Sequence, residues 1–425
     1  MTLKNFTNAF VLTLVILNFW STAKAQTPVN ETSLLSQEVA VLRKQGNQGL
    51  QKFLDSHKNE LNPRTLNAAI PNPEIRAALD ELCQQRDCYA SRLYWYTDLE
   101  AAKAAAKASG KPILSLRLLG RLDQDLSCAN SRFFRVALYP NAAIAQALQN
   151  RFILHWQSVR PVPKVTIDFG DGRKLERTIT GNSIHYILDA SGRPIDAIPG
   201  LYGPKAFLRQ LQQAEVAAKE YSKLSSTERQ AFLKKYHSDR LNAIQTQWTA
   251  DLSRLGIQSP PRLVENPSST AEIAGSLAVT KMAVENPMLN VLRSGAEANR
   301  QTLAAITDQQ AWNKIAQLYA NDAKLDQNSI SLIGAKKFSS TKTAAESLPK
   351  IVNKFEILMA LDTVRNEYML HSQIHQWFIQ DNQTSNLAKL NDKVYAQLFL
   401  TPSSDPWLGL LTNDGYSAID NDGLR

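Results

Sequence analysis

Trp95-Tyr96-Thr97-Asp98-Leu99-Glu100, then the alanine-rich run 101–109, then Gly110-Lys111-Pro112-Ile113-Leu114: the reading of the fold turns on this stretch. Thr97-Asp98 can cap a first helical turn by accepting from a free N–H, alanine has the highest helix propensity, and Gly110 offers a left-handed stop. A helix over 99–109 is therefore predicted. Residues 112–119 follow at once, apolar except for Ser115 and Arg117, which is the pattern of a strand covered on both faces.

Working outward, a polar loop 120–127 leads to Cys128, and helical sequence runs on to about Arg151. Residues 152–159 read as a second strand. Segments 164–169 and 173–180 flank Gly170-Asp171-Gly172, a strong hairpin signal. Segments 184–188 and 193–198 are two more strands joined by a turn. Pro204 then opens an amphipathic helix with Phe207, Leu208 and Leu211 on its apolar side. Upstream, Leu34, Leu35, Val39, Leu42, Leu50 and Leu54 recur at near-helical spacing, and a short helix from Pro73 to about Gln85 carries Cys83. Beyond Leu224 strand signals almost vanish. Helices are expected over 226–255, 307–321, 351–379 and 385–398, with Ser259-Pro260-Pro261 and Ser339-Ser340-Thr341 as connectors.

The order helix, buried strand, cysteine loop, helix, strand, paired strands and closing helix resembles a thioredoxin fold. The run 95–114, the stretch 141–152, and Tyr186-Ile187-Leu188-Asp189 with Gly192 and Gly200 resemble bacterial exported thioredoxin-like proteins over about residues 94–215. The resemblance implies a thioredoxin-like domain at 94–222; with the patterns on either side, an α+β/α chain is expected, with a leader at 1–25, a helical N-terminal segment at 26–93 and a mostly α-helical C-terminal domain at 223–425.

In that family the strand after Gly-Lys-Pro delivers a Cys-x-x-Cys pair to a helix N-terminus. The matching positions here read Cys128-Ala129-Asn130-Ser131-Arg132. Helix N–H groups favour a thiolate, the nucleophile of disulfide exchange. Ser131 stands where the second thiol would be, so a mixed disulfide on Cys128 has no internal sulfur to resolve it. The expected roles are Cys128 as nucleophile, Ser131 as its hydrogen-bond partner, and Arg132 as a source of positive charge, with Arg121 and Arg135 nearby in sequence. Asn182-Ser183 fall where the family places a cis-proline against the active thiol. Cys83 and Cys88 are disulfide candidates if the helix breaks between them; bridges from either to Cys128 are the rivals. Thiol–disulfide exchange with protein thiols or disulfides is one expectation. The other is a non-catalytic scaffold whose helical C-terminal half binds an envelope partner.

Lys4, the uncharged apolar run 9–20 and Ala23-Lys24-Ala25 have the layout of a cleavable export signal, so a periplasmic or secreted protein is expected. No later run approaches the roughly 20 apolar residues of a membrane helix. The net charge is +9 and Lys4 and Lys24 leave with the leader, so the mature chain carries +7. That mild excess, without a dense basic block, argues against nucleic acid as a partner. His371 and His375 have metal-pair spacing, but no glutamate follows the first and no third ligand stands nearby. They read as ordinary surface or core histidines. His155 and His185 read as strand residues that could flank the thiol, and no cofactor or metal is expected.

Overall fold

The computed structural model describes residues 31–61, 72–179, 181–258, 309–337, 344–380 and 382–406. The expected leader and both connectors lie outside them.

Five short helices lead: α1 (Glu31–Arg43), α2 (Asn47–Ser56), α3 (Lys58–Leu61), α4 (Pro73–Cys83) and the single turn α5 (Cys88–Ser91). They close over their own core, in which Leu50, Phe53, Leu79 and Leu82 are wholly buried. Asn72 caps α4 by accepting from the Glu74 N–H, and Pro73 fits its first turn because that N–H has no helical partner. The helix ends where Gln84 turns left-handed, at φ 55°. That break brings the Cα atoms of Cys83 and Cys88 to 6.3 Å, and the two sulfurs are bonded.

Helix α6 (Leu99–Ser109) is capped by Asp98 Oδ1, which accepts from the Ala101 N–H at 2.8 Å, and it ends on Gly110 at φ +70°. It feeds β1 (Ile113–Leu119), all seven residues of which are buried. The loop to Cys128 is followed by α7 (Ala129–Phe133), a wider π turn over Phe134–Leu138, and α8 (Ala142–Arg151). The helical sequence expected from 128 to 151 is thus interrupted. Pro140 has no N–H to donate to a continuing helix, and Asn141 restarts it by accepting from the Ile144 N–H.

Strands β2 (Ile153–Arg160), β5 (Ser183–Leu188) and β6 (Pro194–Pro199) join β1 in one mixed sheet ordered β2-β1-β5-β6. β1 runs parallel to β2 (Ile113 opposite Ile153) and antiparallel to β5 (Ser115 opposite Tyr186), and β5 pairs antiparallel with β6. The hairpin signal becomes a separate ribbon of β3 (Lys164–Asp168) and β4 (Lys174–Thr178).

Helix α9 (Pro204–Lys223) packs on the sheet, and α10 (Ser226–Arg254) follows through a capping box between Ser225 and Glu228. Among the described residues the further α-helices are Gln309–Leu318, Gln327–Lys337 and Ala344–Arg365, the last running through a π turn at Asn366–His371 into Ser372–Gln380, and then Leu387–Lys393. The last long helical stretch therefore starts before the expected position 351 and contains Pro349. The chain is mixed α/β, with a small mixed sheet and a helical C-terminal region. Sheet residues such as Leu116 and Ile198 share one continuous core with Trp312, Met359 and Phe378 of the later helices. No described helix is long and apolar enough to cross a membrane.

Candidate functional sites

Cys128 is the N-cap residue of α7 and the one free cysteine. Its sulfur is collared by polar atoms: Ser183 Oγ at 2.9 Å, Ser131 Oγ at 3.4 Å and the Asn182 carbonyl oxygen at 3.8 Å. Ser131 Oγ lies 2.7 Å from Ser127 Oγ, which also accepts from Arg135 Nη2 at 3.3 Å. Two residues along from the sulfur, the buried Asn130 amide has no hydrogen-bond partner on either its nitrogen or its oxygen. Cysteine, Ser131 and the 182–183 pair thus meet as the sequence places them.

One reading fails. A nucleophile must reach solvent, and this thiol is wholly buried. Arg132, on the same short helix, donates through Nη2 to Thr178 Oγ1 at 3.0 Å, because the end of β4 docks on this loop and Thr178 Oγ1 in turn donates to the Ser127 carbonyl. Arg121 pairs with Asp123, and Arg135 reaches the collar.

Asn182, whose carbonyl lies against the sulfur, is held from the far end of the chain. Asn182 Nδ2 donates to the Phe399 carbonyl (3.2 Å) and to Thr401 Oγ1 (2.9 Å), while the Tyr395 hydroxyl donates to the Asn182 carbonyl at 3.0 Å. Arg160, at the end of β2, clamps the same turn through the carbonyls of Thr401, Pro402 and Asp405. His155 and His185 bond Ser115 Oγ and the Tyr139 hydroxyl inside the sheet core, and burial pushes both imidazoles down to about 3.

A second constellation lies at the β6 edge. Asp196 of β6, His237 of α10, and His371 and His375 of the last long helical stretch are all buried together. The Asp196 carboxylate accepts from the Tyr236 hydroxyl (2.6 Å), the Ala197 N–H (2.8 Å) and His371 Nε2 (3.4 Å). His371 Nδ1 donates to Glu367 at 3.0 Å. Burial opposes charge on His371, but the Glu367 and Asp196 carboxylates outweigh it and hold the ring up at about 9. Burial would raise Asp196, yet His371 and the neighbouring rings keep it well below the carboxylate range. Burial pushes His237 down to about 4, and burial with help from His371 holds His375 well below the ordinary imidazole value. One ring is charged and two are neutral.

The i, i+4 pair read as ordinary histidines is therefore one side of a cluster whose other members lie far off in sequence. The signal that could have exposed it is a lone acid in an apolar strand, Pro194-Ile195-Asp196-Ala197-Ile198. A buried carboxylate there demands partners.

Next to Glu367 a cleft of about 250 Å³ opens between α9, α10 and the π turn at 366–371, lined among others by Tyr202, Arg209, Arg240, Tyr319 and Tyr368. No protein-family pattern, curated protein or solved structure matches the chain.

Proposed function

We propose that the chain is an exported thioredoxin-like protein that exchanges disulfides through one gated thiol, Cys128. The observation that carries this reading is the collar. A cysteine retained only for packing sits among carbon atoms, whereas this sulfur sits at a helix N-cap among two serine hydroxyls and a carbonyl. Polar groups are costly in a core, and a fold that keeps three together around a thiol supports a chemical use for it. The sheet order, with β1 between a parallel and an antiparallel neighbour and α9 closing the unit, supports the thioredoxin resemblance. The export layout of residues 1–25 supports an oxidising destination.

In the proposed step the Cys128 thiolate attacks one sulfur of a disulfide R–S–S–R′. A Cys128–S–S–R bond forms, and R′–S⁻ leaves and takes its proton from water. Cys83 and Cys88 already bond each other, so an external thiol must release R. Access requires the turn at 399–405 to lift. Incubating the folded mature chain with oxidised glutathione should give one mixed disulfide, mapped to Cys128 by mass spectrometry and missing in Cys128→Ser. Modification only in denaturant would defeat the proposal.

The burial of Cys128 favours a second reading, in which the sheet unit is an inert scaffold and the helical half binds an envelope partner at the cleft beside Glu367. Under it, Cys128→Ser leaves partner capture intact and Arg240→Ala removes it.

A further inference from the structure

We infer that Asp196, His237 and His375 form a binding site for one divalent cation of the zinc class, tying the helical C-terminal half to the edge of the sheet. Each residue offers a ligand atom, and the three atoms lie within 4.8 Å of one another with all three residues buried. The rings of His237 and His375 point Nδ1 at Nδ1 across 2.8 Å. Only one of those nitrogens can carry a hydrogen between them, and the partners decide which. The Ile195 carbonyl, 3.0 Å from His237 Nε2, only accepts, so that nitrogen holds the His237 proton. His237 Nδ1 is then a bare lone pair, and the bridging hydrogen belongs to His375. His375 Nε2 is left buried with no partner, so hydrogen bonds alone do not satisfy the cluster.

A cation between the two rings takes the lone pair of each Nδ1, while the displaced hydrogen moves to the empty Nε2 of His375. No proton has to leave the protein. The surroundings suit such a site. A metal-binding imidazole usually donates its other N–H to a carbonyl, as His237 does to Ile195, and a ligating carboxylate is itself hydrogen-bonded, as Asp196 is by Tyr236 and Ala197. Two imidazoles and one carboxylate select zinc and its first-row neighbours over calcium or magnesium, which take oxygen shells. Because the ligands come from β6, α10 and Ser372–Gln380, one ion would bridge the sheet edge and two helices of the C-terminal region.

The full mature chain, stripped with a chelator, reloaded with zinc chloride and desalted, should retain one zinc per chain by elemental analysis. His375→Ala and Asp196→Asn should each retain less than a tenth of that. If the variants fail to fold, X-ray absorption on the zinc-loaded wild type decides the matter. A shell of imidazole nitrogen and oxygen supports the site, and a sulfur ligand overturns it. Wild type that keeps no zinc, or folded variants that keep as much as wild type, overturn it as well.

Discussion

Arg160→Ala tests the gate directly. Arg160 does not touch the thiol; it holds the covering turn through three hydrogen bonds to carbonyls, Nη2 to Thr401 at 3.1 Å and Nη1 to Pro402 and Asp405 at 3.3 and 3.2 Å. A net hydrogen bond contributes about 1 kcal/mol, and the partial exposure of this arginine lowers that, so the variant should favour opening by roughly 1–3 kcal/mol. Each 1.4 kcal/mol is about tenfold in population, which gives about a five- to hundredfold rise in the open form. When opening is fast relative to modification, the alkylation rate tracks that population. Cys128 in Arg160→Ala should therefore react with iodoacetamide five- to a hundredfold faster than in wild type under native conditions. The control is Leu79→Ala, which empties the separate N-terminal core at a cost of about 2–5 kcal/mol without touching the turn. Equal rates in Arg160→Ala and wild type, or equal acceleration by Leu79→Ala, would refute a local gate.

Replacing Cys83 and Cys88 together by serine opens a loop spanning a separation of 5 residues. The chain-entropy estimate for so short a loop is about 2 kcal/mol, to be read as a lowered urea midpoint. His155 and His185 are buried neutral with folded values of about 3, against 6.5 in the unfolded chain. Their contribution is fully present above pH 6.5 and is lost as pH falls toward 3, at up to about 1.4 kcal/mol per pH unit for each ring. Unfolding free energies measured from pH 7 to 4.5 should show this slope, and His155→Gln should reduce it. Gly203 has ordinary backbone angles, but a Cβ there would meet Asp322 O at 2.5 Å and Ala323 Cα at 2.7 Å. Gly203→Ala should cost about 1–3 kcal/mol in urea unfolding, as overpacking does; a neutral result would mean that the turn at 320–323 yields freely.

Local chemistry made much of the fold legible. Asp98 and Gly110 mark both ends of α6, Gly170-Asp171-Gly172 marks the ribbon, and the apolar run after Pro112 marks the central strand, because each signal acts within a few residues. The position of Cys128 at a helix N-terminus was legible for the same reason. Its burial was not, since the Asn182 beside it is held by Tyr395, Phe399 and Thr401 from the far end of the chain. Arg132 illustrates a subtler limit: sequence puts it on the helix of the thiol, but its bond to Thr178 depends on the docking of β4. The Asp196–His237–His375 cluster joins a strand to two distant helices, and no spacing rule reaches across such separations.

The edges of the sheet explain why the two halves form one body. An open edge strand presents unpaired N–H and C=O groups that invite another chain. The outer edge of β2 is covered from within the unit: the Tyr96 N–H donates to Leu154 O at 2.8 Å, and the Trp156 N–H donates to Tyr96 O at 3.0 Å. At β6 the Ile195 carbonyl is met not by a strand but by the imidazole of His237, and Asp196 beside it by Tyr236, both from α10. Truncation after Ser222 removes these donors, leaves the buried Asp196 with no side-chain partner from the helices and bares the apolar face that Met359 and Phe378 cover. A fragment covering residues 26–222 should therefore be recovered as aggregate or unfolded chain, by size exclusion and near-ultraviolet circular dichroism, rather than as a folded monomer. A folded, monomeric fragment would show that the sheet unit satisfies its own edge and that the helical half is an appendage.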